Sequence, residues 1–167
     1  MTVPVRTGRL DLVPLAVAHA EEMAGVLADP ALYAFIGGAP PSQPELRARY
    51  ERLTAGSPDP ATVWGNWVVR LRAEDRSAGT VQATVTEDGR VAEVAWVIGT
   101  EWQGRGIARE AAEGLAGLLV ERGVRTIVAH VHPDHAASAA VARAAGLTPT
   151  DRVEDGEIRW ERRVAVG

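Results

Sequence analysis

The sequence predicts one domain, residues 1–167, of the α/β (α+β) class, with a mixed, mostly antiparallel central sheet and about four helices. Three observations predict it. Three strand-like runs follow one another in mid-chain, two of them joined by Glu87-Asp88-Gly89, whose Asp-Gly pair is a strong hairpin signal. After them the apolar spacing changes to that of a helix, opening a β-α-β-α succession. The length, 167 residues, suits one domain with a sizeable core better than two.

The first strand is read at Leu10–Leu15, closed by Pro14, and the first helix at Val17–Leu27. That helix ends near Asp29-Pro30, because the residue before proline avoids the α region. A Gly/Pro-rich stretch (Gly37 to Ser42) leads to a helix from Ser42 to Thr54, where Ser42 and Glu45 have capping-box spacing. Trp64–Leu71, Gly79–Thr86 and Val91–Ile98 are the three strands. From Arg105 to Glu121 the chain has no proline and repeats Ile107, Ala111, Leu115, Leu118 and Leu119 on one helical face. A strand at Thr126–Val131, a helix at Ala136–Ala145 ended by Gly146, and a hairpin turning at Asp155-Gly156 complete the chain. The five tryptophans are expected in the core or on the sheet.

Composition removes several classes of function. There is no cysteine, so a disulfide, a thiolate nucleophile and a Cys-based zinc site are all excluded. The net charge of −4 argues against broad nucleic-acid binding, which rests on basic contacts to phosphate. No run approaches the roughly 18 apolar residues needed to cross a bilayer, and Met1–Arg9 has no apolar signal core. A cytoplasmic protein with no membrane partner is expected.

The junction Gln103-Gly104-Arg105-Gly106-Ile107-Ala108 stands between a strand and a helix. Glycines there permit a tight bend close to a ligand, and a helix N-terminus offers unpaired N–H groups to an anion. Arg105 adds positive charge. A Gly-x-Gly turn also serves simply to redirect the chain, so the pattern by itself leaves both readings open. It lacks the full G-x-G-x-x-G of a dinucleotide site.

This loop resembles the acetyl-CoA pyrophosphate loop (Q-x-x-G-x-A) of the GNAT acetyltransferases. Further segments are similar to the RimJ/RimL-like branch, which includes ribosomal-protein N-terminal acetyltransferases: Thr7 to Leu12, Asp29 to Tyr33, Glu93 to Ile98, Gly106 to Ala111, and Pro133 to Ser138 with Ala145 to Leu147. The resemblance implies acetyl-CoA as donor, no metal, a primary amine as acceptor (a protein N-terminus or a small molecule), and a monomer or homodimer. It also implies a fourth strand splayed from a fifth, with pantetheine in the gap. Trp96, Val97 and Ile98 would then face the cofactor together with Gln103, Gly104, Arg105, Gly106, Ile107, Ala108, His135 and Ser138. Two positions depart from the pattern: the family's usual Asn is His135, and the helix at Ala136–Ala145 has no tyrosine to act as general acid.

Glu93 is the preferred general base, since burial in an apolar strand would raise its pKa towards a useful range. The other reading is a solvent-facing residue. Ser138 matches the family's serine and is the candidate to protonate the leaving thiolate or contact the cofactor; near a helix start it can equally bond its own backbone. His130 is a further candidate for proton transfer. His130, His132 and His135 together suggest a metal site, but no acidic ligand stands at a telling spacing, and none is expected. Tyr33 and Phe35, read in a loop after the first helix, are candidates for the acceptor-site wall. The competing function is a non-catalytic acyl-CoA-binding sensor.

Overall fold

A computed structural model describes residues 2–165 of the chain. Eight strands form one sheet in the order β1-β2-β3-β4-β5-β6-β8-β7. β1 (Val5–Arg6), β2 (Leu10–Pro14), β3 (Val63–Leu71), β4 (Arg76–Thr86) and β5 (Val91–Ile98) pair in that order, each antiparallel to the one before it. β6 (Thr126–Val131) lies parallel to β5, and β8 (Glu157–Arg163) pairs antiparallel with both β6 and β7 (Thr148–Glu154). β7 and β8 turn through Asp155 and Gly156, both at positive φ (51° and 79°), as a two-residue hairpin matched to strand twist requires.

Five α-helices cover the two faces. α4 (Ile107–Glu121) and α5 (Ala136–Ala144) pack on one face over the larger core, which includes Leu12, Trp67, Ile107, Leu115, Leu119 and Ile127. α1 (Ala20–Val26) and α3 (Gln43–Ala55) cover the other, around Met23, Leu46, Tyr50 and Val68. Each fully buried aliphatic side chain of this kind contributes about 1.5–3 kcal/mol relative to exposure. The alternation along β5 follows the two faces. Ala92, Val94 and Ile98 join the α4/α5 core with Trp96 packed against it, while Val97 packs against the α1/α3 cluster.

Ser42 caps α3 as its spacing predicts: its Oγ accepts from the Glu45 amide and the Glu45 carboxylate accepts from the Ser42 amide, each at 3.2 Å. Such a cap stabilises a helix by about 1 kcal/mol. Several boundaries differ from the sequence expectation; the first helix, for one, opens as a 3-10 turn at Val17–His19 ahead of α1. Val5–Arg6 is a strand too short to leave a pattern, and β4 begins at Arg76 rather than Gly79. Tyr33 and Phe35 belong to a single helical turn, α2 (Tyr33–Ile36), stopped by Gly37, and not to a loop. α4 starts at Ile107 instead of Arg105, because Gly106 is left-handed (φ 74°, ψ 13°). No helix among the described residues is long and apolar enough to cross a membrane.

Candidate active site

The sheet opens in its middle. β5 pairs with β6 only at Val91–Thr126, Ala92–Ile127 and Glu93–Val128. Beyond Glu93, β5 stays with β4 as far as Ile98–Gly79, and β6 stays with β8 as far as Val131–Ile158. The two strands therefore diverge, and the backbone edges of residues 94–98 and 129–131 that face each other lack a strand partner. Gly79 permits this bend: a Cβ there would stand 2.0 Å from the Val97 carbonyl oxygen. Gln103 Nε2 donates to the Ile98 carbonyl at 3.0 Å and ties the end of β5 to the loop that follows.

That loop is a cradle made of backbone. Gly104 and Gly106 have φ of 79° and 74°, a region that side-chain-bearing residues enter at a cost. Nothing lies within 4 Å of a Cβ built on Gly104, and only Arg9 Nη2, at 3.5 Å, approaches one on Gly106. The first amides of α4 are left without intrahelical partners and point into this space, with the helix dipole behind them. These features fit a pyrophosphate. Arg9, missed in the sequence, fastens the cradle: its Nη1 donates to the Arg105 carbonyl at 2.9 Å and its Nε to Glu110 at 2.8 Å. Burial pushes the Glu110 carboxyl up, but hydrogen bonds from Thr7 and Arg9 outweigh it and hold the group below the usual range. Arg105, expected to supply free charge, is bonded to Glu74 at 2.7 Å and lies over the Trp102 ring. Its hydrogen bond is the main cause that lowers the Glu74 carboxyl.

At the far side of the gap, α5 begins on His135, whose Nδ1 accepts from the Ser138 amide at 3.3 Å. A histidine thus performs the capping that an Asn would. Burial first, and the charge of His132 second, hold His135 below the ordinary histidine range, which keeps the ring nitrogen free to accept. The Ser138 hydroxyl does not bond its own backbone; it accepts from Trp96 Nε1 at 3.3 Å, across the gap. Its own hydrogen remains available to donate. Phe35 stacks on His135 (ring centroids 4.5 Å apart) and leans on His132 at 5.1 Å.

Glu93 and His130 lie on the opposite sheet face. His130 Nδ1 is 2.8 Å from Glu93 Oε1, and its Nε2 is 3.2 Å from Glu154 Oε2. The second contact is a close approach only, since Nε2 has no aligned hydrogen bond. The burial expected for Glu93 is absent: its side chain is 55% exposed, whereas that of His130 is 16% exposed. Glu154, in the C-terminal hairpin, left no signal in the sequence because its position depends on how the β7–β8 hairpin docks beside β6. His130 is thus separated from His132 and His135, and among the described residues no group of three or more His, Asp or Glu side chains could hold a metal ion.

On the same face as Val97 a cavity of about 150 Å³ opens between the sheet and α1, α2 and α3. Thr80, register partner of Val97, and Gln82 form its floor with Asn66; Tyr33, Arg49 and Tyr50 line its roof. The Tyr33 hydroxyl donates to the Leu27 carbonyl at 3.0 Å. The Tyr50 hydroxyl is buried with no partner among the described residues, a state that costs about 1–3 kcal/mol. Burial pushes its phenol up to about 12. A second hollow, of about 270 Å³, is lined only by residues of α3 on its outer side and lies away from β5.

The sequence model of the family described as "Acetyltransferase (GNAT) domain" matches residues 9–148. Among solved structures, an acetyltransferase from Agrobacterium tumefaciens is 25% identical at a TM-score of 0.76, over 98% of this chain and 96% of that one. The ribosomal L7/L12 alpha-N-protein acetyltransferase RimL, in complex with coenzyme A, is 18% identical at a TM-score of 0.80, over 97% and 98%. The microcin C7 self-immunity acetyltransferase MccE, in complex with acetyl-CoA and AMP, is 16% identical at 0.74, over 95% and 94%. No curated protein matches the chain.

Proposed function

The chain belongs to the GNAT acetyltransferase family and takes acetyl-CoA as its acetyl donor, and on that premise we propose that residues 1–167 act as one N-acetyltransferase domain of the RimJ/RimL-like branch, acetylating a primary amine in the cytoplasm. The observation that carries this reading is the parting of β5 from β6 beside the Gln103–Ala108 cradle. An extended arm laid in that gap meets free backbone on both sides while its pyrophosphate meets the N-terminus of α4. The similarity to RimL and MccE, one holding coenzyme A and the other acetyl-CoA, supports the same placement.

The amine attacks the thioester carbonyl, the C–S bond breaks, and the thiolate leaves with a proton. One of the backbone amides at Val97 and Ile98, the one on the edge of β5 that faces the gap, donates to the carbonyl oxygen as it gains charge. Glu93 takes the amine's proton, directly or through a water, and His130, with its Nδ1 2.8 Å from Glu93 Oε1, orients that carboxylate and assists the transfer. Being exposed, Glu93 exchanges that proton readily with solvent. Ser138, with Trp96 donating to its oxygen, has its own hydrogen directed to the thiolate. Holding both reactants in line supplies much of the remaining rate enhancement.

Acetyl-CoA-dependent thiol release, measured over a panel of small amines and peptides beside calorimetric titration of acetyl-CoA, tests the proposal. Turnover on at least one amine is expected. Tight binding with no turnover assigns the chain to the acyl-CoA sensor instead, and absence of binding overturns the site.

A further inference from the structure

The cavity under α3 contains a buried donor with nothing to donate to, beside an exposed cation with no ion pair among the described residues. Tyr50 is 3% exposed, yet its hydroxyl has no partner among the described residues. The other phenol of the cavity, Tyr33, is already committed to the Leu27 carbonyl. With its phenol held near 12, Tyr50 keeps its hydrogen at every ordinary pH and so calls for an acceptor atom. Arg49, its neighbour on α3, lines the same cavity, and its charge reaches both phenols. Among the described residues Arg49 makes no ion pair within 4 Å. Glu45, one turn earlier on the helix and close enough to feel the Arg49 charge, is engaged in the cap with Ser42. Leu15, Leu27, Leu46 and Leu53 make much of the remaining wall aliphatic, and Val97 brings the cavity to the strand where the thioester is proposed to lie.

We propose that the acceptor is a small amine that also carries a carboxylate and an aliphatic segment, an amino-acid-like zwitterion whose carboxylate is held by Arg49 and the Tyr50 hydroxyl. This rests on the acetyl-transfer reading above. A cation and a protonated phenol side by side select an anionic oxygen over a neutral one, because a charge-assisted hydrogen bond is about twice as strong as a neutral pair. The aliphatic wall takes the apolar segment, and the amine is left directed to Val97. A peptide N-terminus offers only a neutral amide oxygen where the carboxylate is called for.

Three probes of one shape separate the cases: leucine, leucinamide and 3-methylbutylamine, which is leucine without its carboxylate. In the wild type kcat/KM for leucine should exceed that for either analogue by at least about 10-fold. In Arg49→Gln the preference should collapse towards unity, and Tyr50→Phe should reduce it by about 5-fold. Tyr50→Phe should also keep or raise the melting temperature, as removal of an unpartnered hydroxyl requires; a merely structural phenol would lower it. Equal use of the three amines, or a leucine preference that both variants retain, overturns the inference while leaving acetyl transfer intact. If no amine is turned over but acetyl-CoA binds, the acetyl-transfer reading fails separately. Titration of leucine into the protein loaded with coenzyme A then decides: binding weakened in Arg49→Gln supports the carboxylate site, and no binding overturns it.

Discussion

The two halves of the site are built of different material. On the donor side the contacts come from backbone: the parted edges of β5 and β6, the left-handed Gly104 and Gly106, and the first amides of α4. On the proposed acceptor side they come from side chains, Arg49 and Tyr50 on α3 with Asn66, Thr80 and Gln82 on the sheet. Backbone contacts tolerate almost any side chain except at the few positions where space or φ demands glycine. Side-chain contacts can be rewritten one residue at a time. The donor half is thus suited to one invariant ligand, and the acceptor half to whatever amine the chain serves.

Substitutions test this contrast with effects of graded size. Gly106→Glu places a charged side chain at a φ of 74° in the anion cradle. It should weaken acetyl-CoA binding by at least about 100-fold in calorimetry, with the far-UV circular dichroism retained. Gly79→Ala puts a methyl against the Val97 carbonyl. The bend must relax, which should cost about 2–4 kcal/mol in denaturant unfolding and lower donor affinity as well. Glu93→Gln should reduce kcat by about 10–100-fold at unchanged acetyl-CoA affinity, and Glu154→Gln by less, about 3–10-fold, since it acts only through His130.

The smallest effect concerns pH. His135 is held below the ordinary histidine value by burial and by His132, and His19 by burial and Arg70. As pH falls through about 6.5 the unfolded chain takes up protons that the folded one resists, so stability present above that pH is lost below it. His135→Asn should preserve the α5 cap and flatten the fall in melting temperature between pH 7.5 and 5.5, leaving the share of His19.

The same division explains what could be read from the residues in order. The cradle was legible because Gly104 and Gly106, followed by an apolar helical repeat, write a backbone requirement directly into the sequence. The splay was legible only through the family resemblance, because partial pairing of two strands leaves no local pattern. Arg9 and Glu110 meet across most of the chain, and neither looks unusual in its own neighbourhood. Tyr50 reads as an ordinary core position of α3, and its lack of a partner exists only once α1, α2 and the sheet enclose it. Glu93 shows the limit of periodicity: its strand neighbours are apolar, yet the face it occupies is open where β5 begins to part from β6.

Three paired residues at Val91–Glu93 are all that stitch β1–β5 to β6, β8 and β7 within the sheet. The divergence beyond Glu93 leaves a seam through the centre of the sheet, and the amides of residues 94–98 that face it should exchange with solvent fastest among those of the central strands. An extended donor laid along the seam would offer those edges partners, so adding acetyl-CoA should slow their exchange, a change distinct from the rise in melting temperature that any ligand of the folded state produces.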